Sequence, residues 1–121
     1  MQRFEKIYHW TKIAGHIDEI DFGTNDIAIA EVDGKKICVG KNREAFFAFA
    51  YTCPHAGGIL AEGCINAMGH VVCPVHGYKF NIQTGHNISG EGYNLKRWPL
   101  QIKEEGVFIG MDEMSPYSDI I

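Results

Sequence analysis

The sequence predicts an all-β fold, an antiparallel β-sandwich or small barrel with a second, glycine-rich unit inserted into it. Three observations carry the prediction. Short runs of alternating apolar and polar residues recur along the chain with turn formers between them. Fourteen glycines among 121 residues favour many tight turns, hence short strands over long helices. The Asp33-Gly34 pair sits between two such runs, the strongest short-range hairpin signal a sequence offers.

Taken in order, residues 3–8 (RFEKIY) read as a first strand, and HWTKIAGHIDEIDFG as a loop with one short helical turn. Residues 26–32 (DIAIAEV) and 35–41 (KKICVGK) form the hairpin. Residues 43–51 (REAFFAFAY) read as a central strand, buried in part on both sides. Strand alternation assigns Phe46, Phe47 and Phe49 to the core in preference to a docking patch. Residues 52–90 then change character, with glycines and turn formers around short strand pieces such as HVVC and YKFNI. The strand pattern resumes with LKRWPLQIKEE, a turn at Glu105-Gly106, and GVFIGM. The tail, residues 112–121 (DEMSPYSDII), is acidic, shows no period and is expected to be poorly ordered. The expectation is one domain over 1–121: a base from 1–51 and 91–111, an insertion at about 52–90 that carries the function, and the tail.

Composition narrows the function classes. A hydrophobic fraction of 45% with 12% aromatic residues suits a globular chain. The net charge of −4 argues against nucleic acid as a partner. No apolar run approaches the roughly 18 residues of a membrane helix, and the N-terminal stretch lacks the apolar core of a signal peptide. The expected setting is cytoplasmic, where cysteines that travel with histidines point to metal binding rather than to disulfides.

Two of the four cysteines do so. TCPHAGG (52–58) pairs Cys53 with His55, and VCPVHGYKF (72–80) pairs Cys73 with His76. Thiolate and imidazole together suit zinc, copper or an iron–sulfur centre. A single tetrahedral zinc takes pairs two to four residues apart. Cys73 and His76 fit that, whereas Cys53-x-His55 is a tight bite for one ion. Two metal atoms a short distance apart would relieve it, each loop giving sulfur to one and nitrogen to the other.

CPH, seventeen residues, then CPVH resembles the signature of the Rieske [2Fe–2S] proteins, and HAGGILAEG and HGYKFNIQTG resemble their two cluster loops. The resemblance implies a Rieske-type fold with one cluster per chain. It would place Cys53 and Cys73 on the inner iron and His55 and His76 on the outer, more exposed iron. Two ferric ions, two sulfides and two thiolates sum to zero charge, whereas four thiolates leave a dianion. Neutral imidazoles therefore raise the potential, into a window of roughly −150 to +300 mV.

Departures from the family pattern narrow the type. The loop-bridging cysteines of quinol-oxidising members are replaced by Gly58 and Val75. The serine and tyrosine that donate hydrogen bonds in high-potential members are replaced by Tyr78 and Phe80, with Tyr78 expected to turn elsewhere. Fewer donors to the reduced cluster predict a potential at the low end, roughly −150 to −100 mV. The proline-containing cover loop has as its counterpart SGEGYNLKRWP, in which Tyr93 is a candidate cover. Cys38 and Cys64 read as structural, with Cys64 the one open to exposure. His9, His16, His70 and His86 are scattered singly, His70 lying nearest to a ligand in sequence. Lys79, Lys96 and Arg97 are candidates for a basic rim.

The chain is too short for a second, mononuclear-iron domain, and no nucleophile and base form a matched constellation. The resemblance to soluble Rieske ferredoxins of ring-hydroxylating oxygenase systems implies an electron carrier rather than an enzyme. It would dock transiently on a reductase and on an oxygenase or other redox acceptor. The small subunit of an assimilatory nitrite reductase and a Cys2His2 zinc module are the alternatives.

Overall fold

The computed structural model describes residues 7–55, 57–90 and 92–112. Among these residues, ten strands follow one another: β1 (Tyr8–Ala14), β2 (Ile27–Val32), β3 (Lys35–Asn42), β4 (Ala45–Ala50), β5 (Cys64–Ile65), β6 (His70–Val72), β7 (Lys79–Asn81), β8 (Arg97–Trp98), β9 (Leu100–Lys103) and β10 (Gly106–Asp112). Single 3₁₀ turns occupy Ile17–Glu19 and Leu60–Glu62. Among the described residues, no helix is long and apolar enough to cross a membrane. The all-β prediction holds.

The strands form three antiparallel sheets, ordered β1-β10-β9, β2-β3-β4-β8 and β5-β6-β7. The four-stranded sheet is the shared wall. Alternation sends Ala28, Val32, Ile37, Val39, Ala48 and Trp98 to one face, where they meet Ile109 of β10. It sends Ile27, Cys38 and Phe49 to the other, against Leu60, Val71, Phe80 and Ile82 of the cysteine-bearing segment. β4 lies between β3 and β8 and is buried on both faces through Ala48 and Phe49. Phe47 packs beside Phe49, and Phe46 meets Phe22 at 5.5 Å between ring centroids, so all three phenylalanines serve packing.

The β2–β3 hairpin turns where Asp33-Gly34 requires it. Both residues have positive φ, 52° and 78°, the geometry whose twist matches that of the flanking strands.

The start of the chain differs from expectation. Residues 3–6 lie outside the described residues, and the strand begins at Tyr8 and runs through HWTKIA, which the local pattern had assigned to a loop. Its cause is distant: β1 pairs from Tyr8↔Asp112 to Ala14↔Val107, with an irregularity between Lys12 and Ala14. A partner about a hundred residues away leaves no mark in a local window. The short helical turn is present, with His16 Nδ1 accepting from the Asp18 N–H at 3.1 Å. Of the expected tail, Asp112 ends β10 and 113–121 lie outside the described residues.

Candidate metal centre

Both Cys–His loops close in the same way. The Cys53 N–H donates to the Gly58 carbonyl at 2.8 Å, and the Cys73 N–H donates to the Tyr78 carbonyl at 2.8 Å. Each closure spans six residues and forces a reversal. In the first loop Gly57 takes positive φ; in the second, His76 (φ 63°) and Gly77 (φ 70°) do so in succession. A histidine in the left-handed region costs on the order of 1 kcal/mol and persists where surroundings impose it, most often at functional sites.

The closures bury sulfur and expose nitrogen. Cys53 and Cys73 are 2% and 1% exposed, whereas His55 and His76 lie at the surface. Burial pushes the Cys73 thiol pKa up, partly opposed by hydrogen bonds from backbone groups of Val75 and Gly58, and the Cys53 thiol shares a hydrogen bond with it. The two sulfurs are therefore neighbours in an apolar pocket that already holds backbone donors for negative sulfur, which favour the charged, ligating form. Gly58 must be a glycine: a Cβ there would lie 2.7 Å from Val75 Cγ2 and 2.9 Å from Cys73 Sγ. Gly58 and Val75 thus face one another across the two loops.

Aromatic residues collect at the histidines. The His55 ring meets Tyr78 edge-on at 4.3 Å and Tyr93 at 4.9 Å, and His76 meets Tyr78 at 5.8 Å. Tyr78 therefore turns into the site, contrary to expectation, with its ring against both histidines and its carbonyl closing the second loop. Tyr93, the candidate cover, lies edge-on beside His55. Asn25 was not singled out by the sequence; its amide donates to the carbonyls of Ala61 (2.8 Å) and Gly63 (3.0 Å), tying the first loop segment to the base.

The remaining candidates separate. His70 opens β6 opposite Asn81, with its N–H bonded to Asn66 Oδ1. Cys38 is fully buried and burial pushes its pKa up to about 12, so it is inert; Cys64 is an exposed free thiol. Of the basic trio, Arg97 is built into the fold: its Nε donates to the Ile82 carbonyl at 2.8 Å and its guanidinium lies over Phe47. Burial lowers its pKa. Lys96 lies over Trp98, and Lys79 remains an exposed residue of β7.

Among the described residues, no three His, Cys, Asp or Glu side chains are gathered as a single ion would require. A buried sulfur pair and two surface imidazoles on paired loops suit a two-metal cluster better than one tetrahedral ion. Fold and donor set thus define a small β-domain of the cluster-bearing kind. Residues 9–99 match the Rieske [2Fe-2S] domain, and the chain belongs to that family. Its cofactor is a Rieske-type [2Fe–2S] cluster, and it is an electron-transfer domain.

The chain is 30% identical over 95 residues to human apoptosis-inducing factor 3, a match covering 78% of this chain and 15% of that protein. It therefore spans about one-seventh of the length of that relative. Among solved structures it is similar to the complex of reduced oxygenase and oxidised ferredoxin in carbazole 1,9a-dioxygenase, at 24% identity and TM-score 0.71, covering 88% of this chain and 97% of that one. It is also similar to a nitrite reductase small subunit from Mycobacterium tuberculosis, at 16% identity and TM-score 0.75, covering 89% and 99%. These two likenesses are of fold.

Proposed function

We propose that Cys53 and Cys73 hold the inner iron of the cluster and His55 and His76 the outer one, and that the domain passes single electrons from a reductase to an oxygenase-type acceptor. The observation that carries the ligand reading is the division of the four side chains, with sulfurs buried together and imidazoles at the surface. When bound, the cluster supplies the one-electron couple. The chain's own residues do the rest. Backbone groups of Val75 and Gly58 bond to the Cys73 sulfur and temper the charge that arrives with the electron. Leu60, Val71 and Phe80 exclude water from the sulfur side. The exposed imidazoles bring the reacting centre to within short range of a partner.

The division of the chain into a base and an inserted cluster unit at about 52–90 belongs to this reading, supported by the separate β5-β6-β7 sheet. So does a cytoplasmic setting, which the exposed Cys64 thiol suits. The oxygenase-type acceptor is supported by the likeness to a ferredoxin solved with its oxygenase. The likeness to a nitrite reductase small subunit favours a second acceptor class.

Electron paramagnetic resonance of the dithionite-reduced protein, with an iron and sulfide assay, tests the ligand reading. The expected result is a rhombic signal with nitrogen couplings from two histidines and about two irons per chain. A colourless protein holding one zinc would overturn it. Reduction of the loaded protein followed by mixing with each acceptor class separates the two destinations.

A further inference from the structure

The two imidazoles are not equivalent. His55 has two aromatic neighbours, Tyr78 at 4.3 Å and Tyr93 at 4.9 Å, with interplanar angles of 84° and 66°. Edge contacts of this kind fix a ring's orientation through the aromatic quadrupole. His76 has Tyr78 at 5.8 Å in a looser, tilted contact and stands beside Val75, itself 37% exposed.

The two tyrosines come from different segments, and one side chain braces both. Asn87 Oδ1 accepts from the N–H groups of Gly90 (2.9 Å) and Gly92 (3.2 Å), so it gathers the stretch that leads into Tyr93. Its Nδ2 donates to the Lys79 carbonyl at 3.3 Å, next to Tyr78. The Ile88 N–H donates to the same carbonyl at 2.9 Å, and the Lys79 N–H donates to Ser89 Oγ at 3.0 Å. Gly90 and Gly92 take φ of 97° and 90°, a conformation that bulkier residues resist. Tyr93 is 53% exposed and follows directly on Gly92, whose N–H Asn87 holds.

We propose that Tyr78 and Tyr93 form a two-jawed clamp, braced by Asn87, that positions and shields the His55 imidazole and leaves His76 as the open one. The inference rests on the reading that both histidines are cluster ligands. It assigns Tyr78, Tyr93 and Asn87 as positioning residues. It also makes the cluster's solvent face asymmetric, so that small reagents and partners meet it on the His76 side.

The test is acylation of the full, cluster-loaded chain by diethyl pyrocarbonate, mapped by mass spectrometry, in wild type, Tyr93→Ala, Tyr93→Phe and Asn87→Ala. Wild type is expected to react several-fold faster at His76 than at His55. Tyr93→Ala should bring the two rates together, Tyr93→Phe should keep the wild-type ratio, and Asn87→Ala should move it in the direction of Tyr93→Ala. Pulsed resonance on protein labelled with 15N-histidine gives a second readout: Tyr93→Ala should alter one of the two nitrogen couplings. Equal rates at the two histidines in wild type, or a Tyr93→Ala protein with full cluster and unchanged ratio and couplings, would overturn the clamp. Iron and sulfide content of the same samples reports on the ligand reading separately, and the acylation ratio remains measurable if that content is nil.

Discussion

The two faces of the four-stranded sheet are built on different terms. On one face, Val39, Ala48 and Trp98 meet Ile109 from the β1-β10-β9 sheet, and longer strand ladders, interrupted once between Lys12 and Ala14, close the layer. On the other, Phe49 and Cys38 meet a segment whose strands are two or three residues long. Cys53, Cys73 and their loops make up part of that second core. The first face is closed by ladder hydrogen bonds and hydrophobic burial. The second depends on turn closures, on side-chain ties such as Asn25 and Arg97, and on whatever the sulfurs hold. With Cys53 and Cys73 as the proposed sulfur ligands, the cluster becomes a structural member of one half and a passenger to the other.

The largest effect should come from removing a proposed sulfur ligand. Cys73→Ser is expected to abolish cluster absorbance. Hydrogen exchange should then show lost protection at Val71 and Phe80 and retained protection at Val39, Ala48 and Ile109. Equal loss across both faces would break the comparison. Next in size is the core itself. Phe49→Ala should cost about 3–5 kcal/mol in urea unfolding, the usual range for a fully buried phenylalanine, and shorten cluster lifetime. Ile109→Ala should lose about 2–5 kcal/mol with cluster lifetime little changed, which sharpens the contrast.

A smaller effect belongs to the tie between the halves. Asn25→Ala deletes the donor to two partly buried carbonyls and should cost about 1–3 kcal/mol, read as a lowered urea midpoint. The cluster half should respond more than the base.

How much of this was legible in the sequence depends on how local each cause is. The β2–β3 hairpin was readable because Asp33 and Gly34 contain the whole reason for it. The four candidate ligands were readable because spacing within a loop is local chemistry. β1 was misplaced because its pairing with β10 is settled by residues at the other end of the chain. Tyr78 was expected to turn away because a hydroxyl role was sought for it, whereas it is the ring that meets His55 and His76. Arg97 was offered as rim, since nothing in its neighbours announces that Ile82 supplies an acceptor. Asn87 was overlooked, although an asparagine shortly before two glycines is a recurring turn-forming pattern and was the available signal.

The last expected effect is nil at neutral pH and grows only in alkali. Cys38 lies in the wall between the two cores, and burial raises its pKa from 9.0 to about 12. The native chain therefore keeps a proton that the unfolded chain gives up above pH 9. This contribution is constant below pH 9 and is lost as pH rises towards 12, at about 1.4 kcal/mol per pH unit. Urea midpoints from pH 8 to 11 should fall less steeply in Cys38→Ala. An identical slope would remove Cys38 from the alkaline limit.

The β1–β10 ladder has a consequence for how such a module travels. Tyr8 stands opposite Asp112, so the described polypeptide enters and leaves at neighbouring points of one sheet, roughly 5 Å apart across a ladder. A host protein could receive the unit into a surface turn without stretching its own backbone. Joining those ends and reopening the chain at Asp33-Gly34 should likewise yield a permuted protein with the Cys–His loops undisturbed. In engineering terms the domain is a cartridge, with both leads at one side.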